Sequence, residues 1–183
     1  MKYLTALKTT ASIAALLVFA SAQAQTMDKG AFKASKTRIA AEFKTDKAAC
    51  AALVKNAKDV CQAQAKAKEK VALAEAKYAF SGKPADQNKV MKVKAETTYA
   101  VAKEKCDDLA GNAKDVCVKE AKAVEVKALA DVKMSSKVGE ARKDGAQEKR
   151  DADYKVAAEK CDALTGDAKT SCMASAKTKF GKS

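Results

Sequence analysis

Histidine and tryptophan are absent from this 183-residue chain, proline occurs once, at Pro84, and aromatic residues are scarce. Without histidine, the usual proton shuttle near neutral pH is missing. The sequence also has no Gly-rich phosphate loop and no G-x-S-x-G elbow, and its acidic residues are scattered among lysines at helical intervals. We therefore expect a protein that is not an enzyme and has no catalytic residues, cofactor or cofactor-binding residues.

The scarcity of proline favours long helices, because proline is the residue that most strongly interrupts them. Alanine, lysine and glutamate, which are strong helix formers, are abundant. Alanine is also the largest contributor to the 48% hydrophobic content, and it buries little area per side chain. The composition predicts an all-α chain without a large single core.

The first 24 residues have the order of a secretory signal peptide. Lys2 and Lys8 precede an apolar run over residues 11–20, and Ala22-Gln23-Ala24 follows as an A-x-A cleavage site before Gln25. Because this run is too short to span a bilayer, we expect cleavage and no membrane span in the mature form. The mature protein is predicted to be soluble and periplasmic or secreted, with a formal charge lowered from +13 to +11 by loss of the two lysines.

Six cysteines occur as three pairs, each enclosing a copy of one twelve-residue segment. In the second copy this segment reads Cys-Asp-Asp-Leu-Ala-Gly-Asn-Ala-Lys-Asp-Val-Cys. The copies recur about every 55 residues, a spacing typical of repeat architectures. The segments are Cys50 to Cys61, Cys106 to Cys117 and Cys161 to Cys172.

Each segment is predicted to be a tight turn between two antiparallel helices. Gly111 and Gly166 suit a positive φ at the turn, whereas Lys55 stands at that position in the first copy, whose turn should be the least regular. Asn56, Asn112 and Asp167 follow as predicted N-caps.

In one continuous helix the paired sulfurs would lie about 16 Å apart, whereas a disulfide needs Cα atoms within about 7 Å. In an antiparallel hairpin the two cysteines lie at equal height on facing helices. The disulfides predicted on this basis are Cys50 with Cys61, Cys106 with Cys117, and Cys161 with Cys172.

A single apolar seam is predicted to hold each hairpin together. An aromatic residue lies seven positions before the first cysteine of each pair, and small or apolar residues recur at spacings of three and four. The seam residues include Phe43 and Ile39 in the first copy, Tyr99, Ala102 and Leu109 in the second, Tyr154, Ala157 and Leu164 in the third, and Ala121, Val124, Ala128 and Val132 after Cys117.

These patterns predict about six helices, arranged as three disulfide-stapled antiparallel hairpins that are elongated or loosely bundled. Glycine and the only proline mark the first junction at residues 81–84. The second junction, at residues 135–145, has glycines but no proline, so that a loop and a kinked helix both remain open. The predicted units are a signal peptide over 1–24 and hairpin repeats over 25–82, 83–138 and 139–183.

The cysteine repeat in Ala/Lys-rich helices behind a signal peptide resembles a family of uncharacterised exported bacterial proteins, sometimes described as TolA-like. The similarity covers most of the mature chain. It implies export and a helical repeat fold, and it names no ligand.

Three functional hypotheses follow from the sequence. The first is a structural or binding protein of the cell envelope whose lysine-rich helix faces contact anionic envelope polymers or other envelope proteins. The second is a small periplasmic chaperone or stress protein. The third is a copper carrier using soft sulfur ligands from Met27, Met91, Met134 and Met173. The cysteine spacing does not fit a zinc motif. We predict no metal site.

Specific nucleic-acid binding is not expected, because that recognition relies on arginine forks and stacking aromatics. The chain has only three arginines, Arg38, Arg142 and Arg150.

Overall fold

A computed structural model describes residues 27–182, and the predicted signal peptide lies outside this range. Over that range the chain is helical, with no strand. A short 3₁₀ turn over Cys50–Ala52 follows the first helix. The helices are α1, Lys29–Ala49; α2, Lys55–Ser81; α3, Pro84–Cys106; α4, Gly111–Asp162; and α5, Gly166–Phe180.

The predicted hairpins and their disulfides are confirmed. The pairs are Cys50–Cys61, Cys106–Cys117 and Cys161–Cys172, with Cα atoms 5.6, 5.7 and 5.6 Å apart. The first cysteine of each pair is at most 1% exposed, so that each disulfide is packed at the closed end of its hairpin.

The three turns share one backbone conformation. Gly111 and Gly166 adopt φ values of 55° and 56°, and Lys55 adopts 51° at the equivalent position. Lys55 is the only non-glycine residue with positive φ over residues 27–182, and the prediction that its turn is the least regular is wrong for the backbone, because the lysine adopts the same left-handed φ as the two glycines. The predicted N-caps are wrong, because the helices begin one residue earlier, at the positive-φ residues, and carry no side-chain cap hydrogen bond.

Residues 27–182 form five α-helices where the sequence predicts about six, because α4 continues through residues 135–145 as one 52-residue helix. Gly139 and Gly145 each disfavour a helix by only about 1 kcal/mol relative to alanine. Residues 135–145 contain no proline, so no backbone hydrogen bond of the helix is lost there. The strong helix formers on both sides are therefore sufficient for the helix to continue through the two glycines.

The helices form a row in which, among the described residues, each packs only against its neighbours in sequence. The Met27 amide donates to the Ala79 carbonyl at 2.8 Å, which places the start of α1 beside the end of α2. The helix α3, which packs between α2 and α4, has the largest buried set, comprising Val90, Val93, Ala95, Thr97 and Cys106. The helices α1, α2, α3 and the first half of α4 therefore form a single layer.

On α4, Val138, Gly139 and Arg142 still border a depression of about 790 Å³ with Pro84 and Asn88 at the start of α3. Beyond this point, α4 runs on alone before it pairs with α5. Residues 137–150 are exposed apart from the partly covered Gly145, and charged residues lie on every side of this stretch. A helix that is polar all round is typical of a solvent-exposed connection between packed units. The third hairpin is thus held at a distance from the layer by a single helix.

The predicted seam is only partly correct. Ile39 is buried at 3% exposure, and the side chains of Phe43, Tyr99 and Tyr154 are half-buried. Leu109 and Leu164 lie in the turns at 44% and 40% exposure and are not part of the seam. Both leucines lie outside the seam because α3 ends at Cys106 and α4 ends at Asp162, before these leucines are reached.

The seam position predicted for Val124 is also wrong, because this side chain is 58% exposed. The adjacent Glu125 is 7% exposed and takes the inward position on α4, where it pairs with Lys122 at 2.5 Å.

Within residues 27–182, every helix is either too short or too polar to cross a bilayer.

Candidate anion-binding face

A row of lysines follows one side of α1. At about 100° per residue, Lys29, Lys33, Lys36, Lys44 and Lys47 fall within an arc of about 80°. All five are exposed, and the acidic residues of α1 lie on the opposite side of the helix. The sequence folds this way because the lysines recur at helical spacings while Ile39 and Cys50 turn toward α2.

The neighbouring helix α2 presents lysines on the same side of the layer. Phe32 of α1 and Phe80 of α2 stack with their ring centroids 4.7 Å apart. The Lys36 Nζ lies 5.8 Å from the Phe32 centroid, and the Lys77 Nζ lies 5.6 Å from the Phe80 centroid. The aromatic pair therefore places lysines of two helices side by side.

The same side of α3 and α4 is also rich in lysine. Lys66 and Lys70 of α2 border a depression of about 300 Å³ with Thr97, Ala100 and Glu104 of α3. On α4, the Lys122 Nζ lies 4.8 Å from the Tyr99 ring centroid. We call this side of the layer the basic face; its lysines are Lys29, Lys33, Lys36, Lys44, Lys47, Lys66, Lys70, Lys77, Lys89, Lys92, Lys103, Lys119, Lys122, Lys133 and Lys137.

Most lysines of the basic face have no ion-pair partner within the described part of the chain. The exceptions are Lys92, 3.7 Å from Glu96, and Lys122, 2.5 Å from Glu125. Fewer acidic side chains lie on this side: Asp59, Glu69, Glu96, Glu104, Asp115 and Glu140. The face therefore keeps a net positive charge over four adjacent helices.

The opposite side of the layer has a balanced charge. Its basic residues are largely paired with acids, as Arg38 is with Glu42 at 2.5 Å, Lys68 with Asp46 at 2.8 Å and Lys94 with Glu75 at 2.7 Å. The hydrogen bond that Lys68 donates to Asp46 raises the pKa of Lys68, which keeps the lysine charged. Lys105 and Asp131 also lie on this side, and at about 100° per residue Glu120 and Lys127 of α4 border it beside Asp131.

Two shallow grooves open on this balanced side, separated by Lys94 and Thr98 of α3, which border both. The α2–α3 groove, of about 450 Å³, is lined by Ala67, Val71, Val101 and Ala102 beside its lysines. The α3–α4 groove, of about 550 Å³, is lined by Met91, Ala95, Val124, Ala128 and Val132. We call this side the groove face.

The methionines considered as copper ligands lie on different elements. Met27 precedes α1, Met91 lies on α3, Met134 on α4 and Met173 on α5. Met91 lines the α3–α4 groove, whereas Met134 borders the separate depression at the start of α3. All six cysteines are held in disulfides, and no cluster of three or more His, Cys, Asp or Glu side chains occurs among the described residues.

The sequence prediction missed one feature of the repeat. In the second and third copies, a lysine after the turn pairs with the aspartate that follows the first cysteine: Lys114 with Asp107 and Lys169 with Asp162, each at 3.0 Å. The sequence signal for these pairs is an aspartate directly after the first cysteine and a lysine seven residues after that aspartate. The first copy has Ala51 in place of the aspartate and forms no such pair.

Comparison with known proteins finds no matching family model, no similar curated protein and no similar solved structure. The function must therefore be argued from the two faces of the layer.

Proposed function

We propose that this protein is an exported, non-enzymatic binding protein of the cell envelope, which contacts anionic partners through its basic face. One observation carries this proposal: exposed lysines, mostly without ion-pair partners, cover one side of four adjacent helices. The TolA-like resemblance agrees with it and adds no ligand.

The arrangement of charge favours an extended anionic partner over a small anion. The lysine row on α1 alone spans 18 residue steps, or about 27 Å of helix. The cations of the basic face are lysine ammonium groups, which act as point charges, and none is an arginine that could bind a single phosphate or carboxylate in a bidentate geometry. Near an anionic surface each lysine contributes about 1 kcal/mol of binding, an effect that decays within a Debye length. Many weak, additive contacts suit a surface or polymer with repeated negative charges.

Export places the protein among such partners. Three disulfides are typical of proteins in oxidising compartments outside the cytoplasm. The predicted signal peptide supplies a route there. We propose a periplasmic or secreted location for the mature chain.

The test is binding of the oxidised chain, residues 25–183, to vesicles of phosphatidylcholine alone or mixed with phosphatidylglycerol. We expect binding only to the mixed vesicles. Replacing three basic-face lysines, as in Lys33→Gln, Lys36→Gln and Lys44→Gln, should weaken it about a hundredfold at low salt. A matched control replaces three groove-face lysines, Lys68→Gln, Lys94→Gln and Lys105→Gln.

The control variant loses the same net charge, so that a similar loss of binding in both variants would contradict a role for the basic face itself. Binding that does not weaken as salt rises would also contradict the proposal. A soluble polyanion added as a competitor reports whether the face accepts polymers as well as lipid head groups.

A second function, that of a small periplasmic chaperone, is favoured by the groove face. Its apolar grooves are open, and Met91 and Val124 are exposed within them. Unfolded clients offer apolar side chains of matching chemistry. Suppression of aggregation of a reduced, unfolded client by the oxidised protein would support this function, and no effect at a molar excess would exclude it.

A further inference from the structure

The single-layer architecture leaves the groove face uncovered. Helical domains ordinarily bury their apolar stripes between at least two layers. Here α3 is flanked by α2 and α4 but has no element above or below it among residues 27–182. The apolar side chains that line the grooves are therefore placed where a second layer would cover them.

The exposure of Val124 shows most clearly that the groove face has no covering layer among the described residues. Val124 is 58% exposed in the α3–α4 groove, where its neighbours Ala128 and Val132 are half-buried. Across the groove, Met91 of α3 is 36% exposed. The antiparallel register fixed by Cys106–Cys117 places Val124 and Met91 at opposite ends of this groove, with Ala95 and Ala128 between them, so that together they border a shallow apolar trough that runs along the helices.

Charge decides which side of the layer can meet a second copy of the same chain. Two basic faces brought together would place lysines against lysines, and such like-charge contacts oppose association. The groove face is largely neutralised by its own ion pairs, Arg38–Glu42, Lys68–Asp46 and Lys94–Glu75. Only the groove face can therefore be shared by two copies without strong repulsion.

The area of the groove face is sufficient for a dimer. The 23 residues of α3 extend about 35 Å, and three helices about 9 Å apart give a width of about 27 Å. The face offered is about 900 Å², close to the roughly 800 Å² per partner that stable interfaces bury.

We propose that the groove face binds the groove face of a second copy, so that two single layers become a two-layer helical dimer. A two-fold pairing of this kind uses the same surface on both copies. It directs the two basic faces outward, in opposite directions. The dimer would then hold two anionic partners, or two parts of one, at a fixed separation, and would gain from bivalency.

Two valines on α4 provide a matched test. Val124 and Val126 are 58% and 53% exposed, but at about 100° per residue they lie about 200° apart, with Val124 in the groove and Val126 on the basic side. We expect sedimentation velocity of the oxidised wild-type chain to show a reversible dimer. Val124→Glu should weaken dimerisation at least about a hundredfold, because it buries two carboxylates at the interface.

Val126→Glu is expected to leave the dimer intact. Circular dichroism of both variants checks that helicity is kept; since both side chains are exposed in the single chain, neither change should unfold it. A wild-type chain that stays monomeric up to its solubility limit would overturn the proposal, as would equal effects of the two substitutions. A monomer that suppresses client aggregation, with that activity lost in Val124→Glu, would assign the grooves to unfolded clients instead.

Discussion

Lys55 occupies a backbone conformation that its two counterparts fill with glycine. Its φ is 51°, against 55° at Gly111 and 56° at Gly166. For a residue with a Cβ, the left-handed region costs about 1–2 kcal/mol because the Cβ approaches the following carbonyl oxygen. Lys55→Gly should therefore stabilise the folded chain.

The expected gain is smaller than the full strain. Glycine increases the conformational entropy of the unfolded chain, which offsets about 0.4–1 kcal/mol. We expect the free energy of unfolding to rise by about 0.5–1 kcal/mol. The reverse exchange, Gly111→Lys, should lower it by a similar amount, because a Cβ at Gly111 meets no atom within 4 Å and the cost comes from the backbone alone.

Urea unfolding of the oxidised chain, followed by circular dichroism, provides the assay. The control is Lys66→Gly, the same exchange at an exposed position inside α2, where glycine should destabilise the helix by about 1 kcal/mol. The reasoning is refuted if Lys55→Gly lowers stability as Lys66→Gly does, or if Gly111→Lys has no effect.

Three further changes test other parts of the fold. Replacing Cys106 and Cys117 by alanine should destabilise the second hairpin by about 3 kcal/mol, measured as a lower urea midpoint, because the disulfide closes a loop of about 12 residues; an unchanged midpoint would show that the staple is dispensable. The hydrogen bond from Lys182 lowers the pKa of Asp151, so this pair stabilises the third hairpin at neutral pH and loses that contribution as acid protonates the carboxylate. Lys182→Ala should therefore raise the pKa of Asp151 in an NMR titration, and an unmoved titration would show that the pair does not form. Gly139→Ala together with Gly145→Ala should slow amide hydrogen exchange over residues 137–150, since neither new Cβ meets another atom within 4 Å; unchanged exchange there would argue against an isolated helix.

The hairpins could be predicted because each rests on local chemistry. Cysteine spacing, the turn glycines and the helix-forming composition all act over about twelve residues, and they agree with one another. The positive φ of Gly111 and Gly166 follows from the same local pattern.

The two faces could not be predicted from the seam alone. Whether Val124 or Glu125 turns inward on α4 depends on how that helix is rotated against α3, and spacings of three and four allow both. The sequence alone also does not decide whether α4 continues through residues 135–145. Glycine weakens a helix without ending it, so the outcome depends on the flanking residues. The basic face appears only when the rotation of four helices is known.

Lysine footprinting of the bound protein tests the central claim most directly. The oxidised chain would be acetylated with and without vesicles containing phosphatidylglycerol, and the modified lysines would be identified by mass spectrometry. We predict that Lys33, Lys36, Lys44, Lys66 and Lys70 become protected while Lys94 and Lys105 react as before. Equal protection of lysines on both sides of the layer, or protection confined to the groove face, would contradict the account.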